Sequence, residues 1–261
     1  MLTTLCVLLA MPCPVAPVST PSQDTIRITV GSDLLDGRVY KPHAARVRVR
    51  VGGRDAPITA EWTNELSLGD SAGRPVMRWV TRGTRPVPNG TGTITWELRQ
   101  TYDGITLKPL GYDSRSSNGL STQLAITGNR VHGQQKLPAD SVAVPVDVTL
   151  DQAGFFAGAS DLLPAAVGFK EGAIILAPFW SPGMTKAEMR VFTVLGKTPI
   201  DVEGTQVVAW KVDEHRYSDR KLLATWYLLD SSPYMVYGEV PLPNGKVQHM
   251  SEIAIPMTGG K

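Results

Sequence analysis

From Thr25 onward, apolar and polar residues alternate with a period of two, the pattern of strands that cover one face and wet the other. Arg46-Val47-Arg48-Val49-Arg50-Val51 puts valines on one side and arginines on the other; a helix would scatter those valines around its circumference. Thr25 to Val30, Thr91 to Leu98, Ser121 to Ile126 and Val142 to Leu150 continue the series. Asp36-Gly37, Asn89-Gly90, Asp103-Gly104, Asn118-Gly119 and Asn244-Gly245 supply hairpin-type turns. A second run of strands is predicted at Met189 to Leu195, Thr205 to Val212, Leu222 to Leu229, Tyr234 to Val240 and Lys246 to Ile253.

One stretch breaks the period. Asp151 is placed to cap a helix, and Phe155, Phe156, Ala159, Leu162 and Leu163 fall near helical spacing, with Pro164 limiting the run. One or two short helical turns are predicted between Gln152 and Val167, followed by an irregular aromatic loop at Pro178-Phe179-Trp180-Ser181-Pro182. The expected fold is mainly β: a curved antiparallel sheet, an incomplete β-barrel, covered by a short helical segment. Residues 24–258 read as a single β-rich domain, with a possible joint near 138–180.

Composition narrows the function classes. The chain has 261 residues, 42% hydrophobic and 19% charged, which is ample for a core. A net charge of +2 offers little to a nucleic acid. Residues 1–23 carry no Lys, Arg, Asp or Glu, and the apolar run from Leu5 to Met11 is far short of the roughly 20 residues a spanning helix needs. It reads as the core of a secretory signal followed by a flexible connector rich in Pro and Ser, which places the protein in the periplasm or cell envelope. The alternatives are a lipid anchor on Cys13, preceded by Pro12 where such signals carry a small residue, and a chain that stays in the cytoplasm. Cys6 and Cys13 are the chain's only cysteines, so the body has no disulfide, thiolate nucleophile or cysteine metal site.

Asp161-Leu162-Leu163, Val202-Glu203-Gly204-Thr205, Ala209-Trp210-Lys211-Val212, Thr225-Trp226-Tyr227-Leu228 and Glu239-Val240-Pro241-Leu242-Pro243-Asn244-Gly245 form a characteristic order. Thr106-Leu107-Lys108-Pro109-Leu110, Asn129-Arg130-Val131-His132-Gly133 and Asp70-Ser71-Ala72-Gly73-Arg74-Pro75-Val76 extend it to the first half. Over residues 25–255 the chain resembles the domain-of-unknown-function 3108 group of bacterial exported proteins, itself similar to the lipoprotein-carrier and outer-membrane lipoprotein-sorting superfamily. The resemblance implies an incomplete β-barrel around helical elements and, in the lipoprotein carriers, a hydrophobic cavity. It implies no activity. The single short helical segment here departs from the longer lids of the carriers, which puts a large lipid cavity in doubt.

Candidate chemistry is sparse. Gly69-Asp70-Ser71-Ala72-Gly73 matches the nucleophile-elbow pattern, which needs Ser71 on a strand-to-helix turn beside a His base. Both flanks read as strands, so the motif is expected to be a hairpin loop, with a serine hydrolase as a remote alternative. His43, His132, His215 and His249 lack metal-ligand spacing, and no cofactor fingerprint is present. Asp213-Glu214-His215 with Asp219 reads as a solvated hairpin loop. Arg46, Arg48 and Arg50 read as a solvated stripe protecting a sheet edge, with contact to anionic headgroups or polysaccharide as the alternative. The aromatics carry the functional expectation. Phe155, Phe156, Phe179, Trp180, Trp210, Trp226, Tyr227 and Tyr237 are candidates to line a cleft for a lipid, a lipoprotein acyl chain or another apolar ligand, without enzymatic chemistry. The alternative is a filled core in a protein- or glycan-interaction module. An open apolar cavity of several hundred Å³ beside Trp210, Trp226 and Phe179 separates the two.

Overall fold

The computed structural model describes residues 25–87, 91–230 and 234–256. The segment read as a secretory signal with Cys6 and Cys13, the Asn89-Gly90 pair expected to form a turn, and Ser231-Ser232-Pro233 lie outside the described residues.

The short strand β1 (Thr25–Arg27) is followed by an antiparallel meander. It comprises β2 (His43–Val51), β3 (Ile58–Ser71), β4 (Arg74–Pro86), β5 (Thr93–Asp103), β6 (Pro109–Ser116), β7 (Ser121–Thr127), β8 (Arg130–Lys136) and β9 (Val144–Thr149). After the two-residue β10 (Phe155–Phe156) and the helix α1 (Leu162–Val167), a second meander runs through β11 (Ile174–Trp180), β12 (Glu188–Val202), β13 (Thr205–Arg216), β14 (Leu222–Leu228), β15 (Met235–Pro241) and β16 (Val247–Ala254). β16 pairs antiparallel with β2, so both meanders belong to one 16-stranded sheet, which ends at β9 on one side and does not close on itself. Register shifts interrupt the β2–β3, β5–β6, β12–β13, β13–β14 and β14–β15 ladders. Such bulges bend and twist strands, which lets so wide a sheet curl.

The segment from Leu150 to Ala173 crosses the concave face as a plug. A six-residue helix has no stability of its own, and α1 is held by burial of Leu162 and Leu163, each 2% exposed. Tyr40 donates its hydroxyl to the Leu162 carbonyl, and Asp36 N–H donates to Ala166 O at 2.9 Å. Pro164 sits in the first turn, where no helical N–H is needed, and so does not terminate the helix. Asp151 does not cap it either: its Oδ1 accepts from Gln152 N and Ala187 N, tying the plug's entrance to the opposite loop.

Three further expectations are corrected. Pro178 to Trp180 is not a loop but the end of strand β11, with Phe155 and Phe156 paired parallel to Phe179 and Trp180. Asp36-Gly37 opens a single 3-10 turn, not a hairpin. The arginine row is not on an edge, because β2 lies between β16 and β3. Arg46 and Arg48 face Glu61 at 3.4 and 3.5 Å, and Arg48 and Arg50 hold Glu203 at 3.2 and 2.5 Å. Glu203 sits at the tip of the long β12–β13 hairpin, which folds over the outer face of the sheet and covers Tyr227 and Tyr237 with Ile200, Val202 and Ala209.

The Arg50 hydrogen bonds, with help from Ser251 and Arg48, hold the Glu203 carboxyl down at about 2. A lowered carboxylate stabilises the fold above its unfolded pKa near 4.5 and loses that contribution as pH falls toward 2. Glu203→Gln is therefore expected to cost about 1.5–3 kcal/mol in urea denaturation at pH 7. The gap to wild type should narrow steadily below pH ~4.5; a gap independent of pH would show that shape, not charge, docks the hairpin.

Candidate functional site

The eight aromatics singled out in the sequence fall into separate places. Phe155, Phe156, Phe179 and Trp180 are 4%, 2%, 1% and 3% exposed and pack on one another between plug and sheet. The space left among Phe155, Phe156, Phe179, Tyr102 and Leu163 is about 10 Å³, room for a single water at most, so this part of the concavity is filled core. Trp210 stacks on Phe169 with ring centroids 5.3 Å apart and donates Nε1–H to Asp230. Tyr227 and Tyr237 lie on the outer face, 5.6 Å apart, under the β12–β13 hairpin. Only Trp226 borders an inner cleft, and its partners there are residues the aromatic count left out.

That cleft has a volume of about 220 Å³ and is walled by Trp62, Trp79, Trp96, Trp226, Met235 and Met250. Its floor is the plug, at Gly158 and Asp161, and Asn64 and Thr81 add polar edges. Trp62, Trp96 and Trp226 are half-buried, so the cleft communicates with solvent. Two glycines make the walls possible. Trp62, Gly83 and Trp96 stand side by side on β3, β4 and β5, and a Cβ on Gly83 would lie 2.7 Å from the Trp96 ring and 2.8 Å from Trp62 Cβ. Across the cleft, Trp226, Gly238 and Met250 are aligned the same way on β14, β15 and β16, with a Cβ on Gly238 only 2.9 Å from the Trp226 ring. In each row the missing side chain lets bulky neighbours lean together.

The polar groups around the cleft are ordered. Glu214, read in the sequence as part of a solvated loop, is a strand residue of β13 and 1% exposed. It accepts from Arg190 at 2.6 Å, from Ser160 of the plug at 2.8 Å and from Trp226 Nε1–H at 2.7 Å. Glu252 contacts His43 at 2.7 Å, and His43 stacks on Tyr234 with centroids 4.1 Å apart. Thr81 donates to Asn64, whose amide points at Glu252. Asp161 makes no side-chain bond to the helix it precedes. Burial, then the charges of Glu252 and Glu214, push its carboxyl up to about 7.

A larger outer cleft of about 460 Å³ lies beneath the hairpin tip. Two of its arginines are paired within the fold, Arg50 with Glu203 and Arg54 with Glu239, and His249 contacts the Tyr237 hydroxyl at 2.6 Å. Ser71 ends β3 at a two-residue turn, Ala72-Gly73, with φ of 53° and 78°, and Asp70 accepts from Gly73 N. The Gly-Asp-Ser-Ala-Gly run is thus a tight hairpin leading into β4, not a strand-to-helix elbow. Among the described residues, no group of three or more His, Cys, Asp or Glu is placed to hold a metal ion, and no helix is long and apolar enough to cross a membrane.

This architecture defines a β-barrel-like protein: an open, strongly curved sheet around a short helical plug. No family model and no curated protein matches the chain. Among solved structures it is similar to a beta-barrel-like protein of domain of unknown function DUF1849 from Brucella abortus, at 8% identity, over 86% of this chain and 97% of that chain, with a TM-score of 0.48.

Proposed function

We propose that the protein is an exported, non-enzymatic binding protein of the cell envelope that takes an apolar group into the inner cleft. The observation that carries this is the wall of four tryptophans and two methionines around about 220 Å³ of space, reached from solvent and floored by the plug. Apolar burial supplies affinity at about 25 cal/mol per Å², and no proton transfer is required. The volume lies below the roughly 300–1,000 Å³ of pockets that enclose drug-sized ligands. The cleft therefore suits a small head or the end of a chain, not a whole lipoprotein acyl moiety. The resemblance to the 3108 group and to the lipoprotein carriers supports the envelope setting. An interaction module built on the arginine face or a bare edge is less favoured. Glu61 and Glu203 occupy the arginines, and the end strand β9 carries Pro145 and Asp147, which blunt edge pairing.

The test is native mass spectrometry, with extraction, of protein purified from its own host, beside a Gly83→Val variant. Valine at 83 collides with the Trp96 ring and Trp62 Cβ, so the variant is expected to displace the tryptophans that wall the cleft. An apolar or amphiphilic molecule that travels with wild type and is absent from the variant supports the reading. Equal carry-over by both variants, or none together with no saturable uptake of an apolar fluorescent probe, overturns it.

A further inference from the structure

We infer that the inner cleft selects a methylated organic cation, a quaternary or trimethylated ammonium head, through its tryptophan faces and the carboxyl of Asp161. This rests on the reading of the cleft as a ligand site and adds the charge of its occupant. Three observations converge on it.

The first is the wall. Trp62 and Trp96 have ring centroids 6.3 Å apart at 58°, so they present a corner and not a flat stack. Trp226 closes the opposite side, and its one polar atom is already spent on Glu214, which leaves the cleft its ring. Indole rings carry negative faces that attract cations, and a desolvated cation gains most from them. An ammonium bearing N–H groups would demand hydrogen-bond acceptors that indole faces do not offer. A methylated one sheds its water cheaply and makes apolar contact at the same time.

The second is the sign of the charge. Asp161 lines the cleft, and the two carboxylates closest to it electrostatically, Glu252 and Glu214, are both negative. Their partners bind them from outside the cleft. Arg190 reaches Glu214, and His43 reaches Glu252, and neither Arg190 nor His43 lines the cleft. The interior therefore presents carboxyl and aromatic groups to an incoming ligand and no cationic group. A fatty-acid or phosphate head would meet repulsion there.

The third is the setting of Asp161. Its carboxyl makes no side-chain capping bond, no ion pair to it is found among the described residues, and burial pushes it up to about 7. A cation seated against it supplies the opposite charge it lacks and favours the ionised form.

The experiment titrates the full chain with choline and with its neutral isostere 3,3-dimethylbutan-1-ol, read by tryptophan fluorescence and calorimetry at pH 8. Choline is expected to bind about tenfold more tightly than the isostere. Asp161→Asn should bring the affinity for choline to that of the isostere measured on the same variant, collapsing the roughly tenfold ratio. Trp96→Leu, which keeps the wall apolar, should weaken choline more than the isostere. Equal affinity of choline and isostere, lost in Gly83→Val, overturns the cation inference and leaves the apolar site standing. Saturable binding of neither overturns the cation inference, and overturns the apolar site as well only if the apolar fluorescent probe is also not taken up. Folding of each variant is checked by circular dichroism, and two independent substitutions keep the outcome readable if one fails to fold.

Discussion

Glu214→Ala is expected to lower the stability of the fold by about 3–5 kcal/mol, the cost of breaking a buried ion pair from one side. Glu214 is 1% exposed and gathers three donors from three elements: Arg190 on β12, Ser160 in the plug and Trp226 on β14. Removing the carboxylate leaves the Ser160 hydroxyl and the Trp226 Nε1–H without their acceptor and takes one of the two carboxylates from Arg190. Arg190 retains Glu188 at 3.2 Å, which places the loss toward the lower end of that range. Urea denaturation at pH 7 measures it. Glu214→Gln keeps shape and one acceptor, so its cost should fall between wild type and alanine. The alanine variant should also show altered Trp226 emission before the global transition, because the ring loses the anchor that sets its angle. A loss below about 1 kcal/mol would mean that water replaces the carboxylate, and that plug and wall are held by apolar packing alone.

The strands were legible because each covers one face. The alternation at Arg46 to Val51 is β2, and the turns at Asn118-Gly119 and Asn244-Gly245 join β6 to β7 and β15 to β16. β11 was illegible for a physical reason. Its residues are apolar on both faces, and it pairs in parallel with β1 and β10, segments more than a dozen residues away in the chain. A strand buried on both sides shows no period. The candidate site was half visible. Aromatic crowding pointed to Trp226 in the second meander. Trp62, Trp79 and Trp96 belong to the first and meet Trp226 only when the sheet curls. A signal for them existed: counting back from the Ala72-Gly73 turn sets Trp62 opposite Gly83, and the next hairpin sets Gly83 opposite Trp96. A glycine in mid-strand between two tryptophans marks a close approach. The role of Glu214 had no such signal, since its neighbours Asp213 and His215 give it the look of a polar loop; only strand register turns it inward.

Asp161→Asn is expected to stabilise the protein at alkaline pH, by an amount that grows from nothing near pH 4 to about 2–4 kcal/mol above pH 8. The folded carboxyl sits at about 7 against an unfolded value near 3.8, so between those limits the folded chain holds a proton that the unfolded chain has released. Stability linked to this group is complete below pH ~3.8 and drains away as pH rises through 7. Solvent reaching the half-buried side chain trims the full penalty. The charges acting on it are Glu252, itself facing His43, and Glu214, itself facing Arg190, and neither changes in the variant. Asparagine keeps the size and stays neutral, so urea midpoints of the two proteins should coincide near pH 4 and separate above 7. Choline added at pH 8 should then raise the midpoint of wild type more than that of the variant, which binds it only as weakly as a neutral isostere. A core under selection for stability alone would carry asparagine or an apolar residue at this position. A carboxyl that costs the fold stability and is relieved by a cation is the trade between stability and binding that a ligand site imposes. Asparagine proving less stable than wild type at pH 8 would remove that trade, because the carboxylate would then have a partner within the fold and no need of one from outside.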